Sequence, residues 1–219
     1  MIRVALLVAG KDLRIERRSR VLLWQVGPFG VMALLLCGLA LGPTQVGHSS
    51  AAPGLFYVVV VLVALLMINR SHGVEATPGT AASIATLGLD PAGVFLGKAA
   101  ALAVELWLTG IVLLGGCVLV LHTGLRGTAE ALPSVLVVLG AIAAAGTLYG
   151  ALTTGGSGAA TLLPVLSLPA FAPLLIAGEQ SFHSALHGGA LMEWWVISLV
   201  ALAGYLAVGI LLYGVLEES

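Results

Sequence analysis

Few side chains in this sequence can do chemistry, and most are placed for something other than catalysis. The 219 residues hold nine Lys and Arg and ten Asp and Glu. One carboxylate, Glu105, stands inside a long apolar run, seven positions after Lys98. On a helix that separation is about 10 Å of rise. An ionisable group at such depth is costly and faces a bundle interior or a cavity. Glu105 therefore lines a path or a subunit contact, or it sits protonated against a carbonyl of a neighbouring helix. Of five histidines, His183 and His187 are spaced four apart and can share one helix face. That spacing suits zinc, but no carboxylate or Cys completes a tetrahedral set, so no metal site is expected. His183 and His187 are thus weak candidates for a cofactor contact; a solvated loop pair is the plainer reading.

Two enzyme readings fail on their residues. A nucleotide-binding loop needs G-x-x-x-x-G-K-[ST], and only Leu96-Gly97-Lys98 matches its end, followed by Ala99. Any ATP hydrolysis must therefore occur on another chain. Gly155-Gly156-Ser157-Gly158 fits the GxSG of rhomboid intramembrane proteases. A nucleophilic Ser needs a base within hydrogen-bond reach. The last apolar run, 194–216, has no His, and charge placement puts His183 and His187 on the opposite membrane face. A glycine turn is the better reading, and no catalytic residue is assigned.

The elements that must hold these residues follow from composition. Hydrophobic residues make up 59% of the chain and charged ones 9%, against roughly a quarter charged in soluble domains. Mean hydropathy is +1.11. The solvent is lipid, and a span needs about 20 apolar residues. Residues 21–69 and 131–178 lack Asp, Glu, Lys and Arg, and each stretch holds two spans. Residues 106–125 and 194–216 hold one more each. The sequence predicts an all-α polytopic membrane protein forming one transmembrane domain over 1–219, with spans near 21–42, 51–69, 94–121, 131–153, 158–178 and 194–216. Breakers mark the turns: Gly42-Pro43, Pro53-Gly54, Pro78-Gly79, Asp90-Pro91 and Thr153 to Gly158.

Six of the nine Lys and Arg lie in the first twenty residues. With the amino terminus inside, Arg70 and Lys98 join them, and Arg126 alone lies outside, as the positive-inside rule favours. Both termini are then cytoplasmic, in a plasma membrane, and His48, His122, His183 and His187 are external. The start is not read as a cleaved signal peptide, because its apolar stretch is short and a basic cluster follows it. Cys37 and Cys117 read as buried free thiols. A net charge of −1 gives no reason to expect nucleic acid.

Residues 1–20 read as an amphipathic interfacial helix, with Ile2, Leu6, Leu13 and Ile15 toward lipid and Lys11, Arg14 and Arg18 toward anionic headgroups. Asp12 and Glu16 are interleaved with them, which orientation alone does not require. The longest connector, 70–93, is cytoplasmic, weakly apolar and poor in charge. A short helix near Thr80 to Leu87 would suit docking into a groove. The candidate coupling residues are Arg70, Glu75, Gly79, Ile84, Asp90 and Lys98. Pro164, Pro169 and Pro173 are expected to kink the fifth span. Gly115-Gly116 and Ala141 to Gly146 permit close helix approach, within one bundle or against a second copy.

Several of these stretches together resemble a known family. The run Lys11-Asp12-Leu13-Arg14-Ile15-Glu16-Arg17-Arg18-Ser19 is similar to the KDLRxExRs opening of the B subunit of the cytochrome c maturation ABC transporter, CcmB. Arg70, Glu75 and Gly79 stand where that family has ER…E…G, and Leu96-Gly97-Lys98 matches its LGK. Residues 162–176 resemble its proline-rich LLP…LP…PLLI stretch. Ala81, Ala82 and Gly88 depart from the family pattern. The resemblance implies an ABC-2-like exporter fold and a permease subunit for haem handling in c-type cytochrome biogenesis. It implies an ATPase partner (CcmA-like) that binds ATP, CcmC-like and CcmD-like membrane subunits, and haem as substrate rather than resident cofactor. A second copy of the chain is a further possible partner, besides membrane lipid. The alternatives are an ABC-2 permease for another amphipathic substrate, or a scaffold that transports nothing.

Overall fold

The structure is a computed structural model, and it describes residues 1–20, 22–42, 50–75, 90–153 and 159–217. Among these there is no strand. The helices in chain order are α1 (Ile2–Ser19), a π-helical turn (Leu22–Val26), α2 (Gly27–Leu41), α3 (Ala52–Glu75), α4 (Pro91–Val120), α5 (Leu125–Thr153), α6 (Ala159–His187) and α7 (Leu191–Glu217). Six helices are long and apolar enough to cross a membrane, the first of them running from Trp24 through α2. In lipid the backbone must satisfy its own polar groups, which is why the apolar runs become helices.

The number of spans agrees with the sequence reading, and several ends need correction. The α5 helix begins at Leu125 rather than 131, and α6 continues to His187 rather than stopping at 178. The interruption of an apolar run does not end a helix. At the start of α5, Arg126 and Glu130 pair one turn apart with 3.0 Å between Nε and Oε1, so the charged residues support the turn. What ends α6 is Gly188, with φ 77°, a left-handed residue of the kind that closes helices. His183 and His187 therefore lie in the last turns of α6 and not in a loop. The connector shrinks likewise: Arg70 to Glu75 are the end of α3, and residues 91–93 open α4. Pro91 sits in the first turn after an extended Asp90, where a missing N–H costs nothing.

The core is built around α5. Ala141, Ile142, Ala143 and Ala145 are fully buried, and small side chains let neighbours approach on every side. A Cβ on Gly146 would collide with Ile68, and one on Gly110 with Leu139. Gly116 meets Leu34, whereas Gly115 faces open space. The alanine and glycine run thus packs within this bundle. Phe56 meets Phe182 edge to face, ring centroids 5.5 Å apart, joining α3 to α6. On α7, by contrast, Val196, Ile197, Leu199 and Val200 are exposed, as a lipid-facing helix requires.

The prolines do not break α6, which is continuous through Pro164, Pro169 and Pro173. Each removes a helix hydrogen bond, and two hydroxyls bond other carbonyls of the same stretch. The Ser167 hydroxyl donates to the Leu163 carbonyl at 2.6 Å. The Tyr205 hydroxyl of α7 donates to Ala170 at 2.8 Å.

Candidate functional site

The candidate site is built where α1, α3 and α4 meet. α1 lies along the first half of α4. Met1 stands beside Asp90, its amino group 3.2 Å from the carboxylate. Val4 lies against Gly93, and Ala5 and Val8 against Gly97. These pairs advance together, so the two helices run parallel and in step. The seat is two glycines a turn apart. A Cβ on Gly97 would fall 2.6 Å from the Ala5 carbonyl oxygen and 2.7 Å from the Val8 Cβ. One on Gly93 would fall 2.9 Å from the Val4 Cβ. Only glycine lets the arm approach this closely. Ile2 and Leu6 remain exposed on α1, with Ile15 less so, which is the apolar side expected to meet lipid.

Farther along, the arm carries a polar cluster. Arg70, near the end of α3, places its guanidinium 3.2 Å from the Glu16 carboxylate. It also donates to the Ser19 hydroxyl at 2.9 Å. Ser19 in turn donates to the Glu16 carbonyl at 3.1 Å. Lys11 pairs with Asp12 at 3.1 Å. Glu105 of α4 lies close enough for the charges of Glu16, Asp12 and Arg70 to act on it. Arg70 thus binds the arm to α3 through Glu16 and Ser19. This is a mechanical junction; it contains no nucleophile held against a base.

The remaining candidates are dispersed. Lys98 is buried, 8% exposed, with its ammonium 5.8 Å from the Tyr213 ring centroid. A cation over an aromatic face is attracted by the ring quadrupole. Lys98 therefore belongs to the α4–α7 packing, where Phe95 also meets Tyr213, centroids 5.5 Å apart, and presses on Gly209. Arg14 and Arg18 are exposed on α1. Glu75 is the last residue of α3, and Gly79, Ile84 and the expected helix near Thr80 lie outside the described residues. So does the Gly155–Gly158 turn. His183 and His187 stack, centroids 4.4 Å apart, and His187 Nδ1 lies 3.1 Å from the His183 carbonyl oxygen, at the opposite end of the bundle from the arm. Among the described residues no group of three or more His, Cys, Asp or Glu is placed to hold a metal. A narrow crevice between α3, α4 and α5, lined by Val60, Val63, Leu106, Thr109, Gly110, Leu113 and Leu139, has no room for a water-sized sphere.

A family model described as "CcmB protein" matches residues 3–214. The chain belongs to the CcmB family. No curated protein matches it. CcmB proteins are membrane permease subunits of an ABC transporter tied to haem transport and cytochrome c maturation. Within that family frame, motif residues far apart in sequence meet in space: Glu16 and Ser19 of the arm motif hold Arg70, and the glycine of Leu96-Gly97-Lys98 seats the arm. Sequence reasoning placed these residues in motifs but missed both contacts. The glycine seat had a readable signal, since Gly93 and Gly97 open an apolar helix at the G-x-x-x-G spacing. The partner of Arg70 had none, because ion pairing across 54 positions is decided by packing.

Proposed function

We propose that this chain is the permease subunit that couples a partner ATPase to rearrangement of the membrane bundle during haem handling for c-type cytochromes. The ATPase engages the connector between α3 and α4 on the cytoplasmic side of a bacterial plasma membrane, and both termini face the same side. The observation that carries this reading is the Arg70–Glu16–Ser19 junction. The helix that leads into the connector is fastened to the basic arm, so the connector's root is anchored at the membrane end richest in positive charge. Lys and Arg collect on the cytoplasmic side. CcmC-like and CcmD-like subunits are the further partners.

Co-purification tests the coupling. An ATPase chain should be retained with the intact protein and lost when residues 75–90 are replaced. Retention after replacement overturns the reading. Loss of the chain should abolish haem attachment to c-type cytochromes; normal maturation sinks the haem assignment. Labelling of a cysteine placed at Ser83 should occur from the cytoplasmic side, and labelling solely from outside reverses the orientation.

A further inference from the structure

We infer that α1 is a clamp that makes the ends of α3 and α4 one mechanical body, with Glu16 and Arg70 as its positioning residues and with Arg20 and the turn Leu22–Val26 as its hinge to α2. This rests on the coupling reading above and names the device within it.

The clamp has two jaws, and both are in place. At one, Val4, Ala5 and Val8 fill the Gly93 and Gly97 seat of α4. At the other, Glu16 and Ser19 hold Arg70 of α3. Val8 and Glu16 are eight positions apart on one continuous helix, roughly 12 Å of rigid rod. The two helices that bound the connector are therefore held at a fixed spacing by a third element. The first jaw is close backbone packing, and the second is a bridge of side chains reaching from α3 to α1. The Glu16 side chain is 14% exposed and that of Arg70 31%, and the glycine seat admits no side chain.

The hinge is the irregular segment that follows. Arg20 is left-handed, with φ 54°, a conformation that a long side chain adopts at a cost. Its N–H still bonds the Glu16 carbonyl at 2.8 Å, so the rod ends cleanly just past the second jaw. A π-helical turn, Leu22–Val26, then joins Gly27 and Pro28 at the start of α2. Bulged π turns recur at functional positions in helices, and hinges are element ends that absorb changes in φ and ψ. A displacement of the connector's roots thus reaches α2 through one short irregular segment.

The test uses the whole complex with its ATPase. Glu16→Arg and Arg70→Glu should each reduce cytochrome maturation about tenfold, between the small effect of a surface pair and the large one of a buried pair. ATP hydrolysis and ATPase retention should persist. The double swap, Glu16→Arg with Arg70→Glu, should restore most of the activity. Single variants at the wild-type level, or a swap no better than either single, overturn the clamp. Should the charge variants fail to accumulate, Glu16→Cys with Arg70→Cys and a bifunctional thiol reagent gives a second reading. Before bridging, the double cysteine variant should mature cytochromes poorly, and bridging should restore most of the activity, because the bridge replaces the ion pair; no gain on bridging, or wild-type activity without it, overturns the proposal. The coupling reading fails by a different result, ATPase retention after the 75–90 replacement.

Discussion

Two ion pairs at opposite ends of the bundle use the same chemistry for different ends. Arg126 and Glu130 pair within one turn of α5, and the Arg126 side chain is 94% exposed. Arg70 and Glu16 pair across 54 positions, are both largely covered, and share the Ser19 hydroxyl. The first pair supports a helix that would form without it. The second ties the far end of the arm to a different helix. A charge in a membrane protein thus carries tertiary information when its partner lies on another element and water is mostly excluded from both.

That contrast can be broken in order of size. Replacing Gly97 by Leu removes the seat on which the whole arm rests. Overpacking of this kind costs about 1–3 kcal/mol, and the backbone contact at Ala5 leaves little room to relax. The arm should detach, seen as trypsin cleavage at Arg14, Arg17 and Arg18 before the bundle unfolds. An arm that stays protected contradicts the described contact. Arg70→Gln should lower stability in detergent by roughly 1–2 kcal/mol, between the values for surface and buried pairs. The loss should change little with salt, since covered pairs are screened weakly. Arg126→Ala should change stability by less than about 0.5 kcal/mol. Equal effects for Arg70 and Arg126 would erase the distinction.

The legible part of the fold was the part set by local chemistry. Charge-free runs gave the number of helices, because lipid leaves the backbone no other partner. Ends were harder to read wherever polar residues extended a helix. Arg126, Glu130 and Glu179 interrupt the charge-free runs, yet backbone bonding continues through them, in α6 as far as Gly188. Pro164, Pro169 and Pro173 each remove a helix hydrogen bond, yet α6 is continuous through all three. Lys98 shows the limit for the candidate site. Its sequence neighbours suggested a place at the connector, and only the approach of Tyr213 from α7 puts it inside.

By itself the sequence determined a membrane-embedded helical bundle, its number of spans, a basic arm and the absence of a nucleotide loop in this chain. Those properties depend on composition and on contacts within a few residues, which a linear reading contains. The tertiary structure alone decided that the arm rests on Gly93 and Gly97, that Arg70 answers to Glu16 and Ser19, and that the alanine-rich stretch of α5 is the centre of the core. Between apolar helices in lipid no hydrophobic force selects a neighbour. The choice falls to shape and to a few polar groups, and those become partners only once the chain has been brought together.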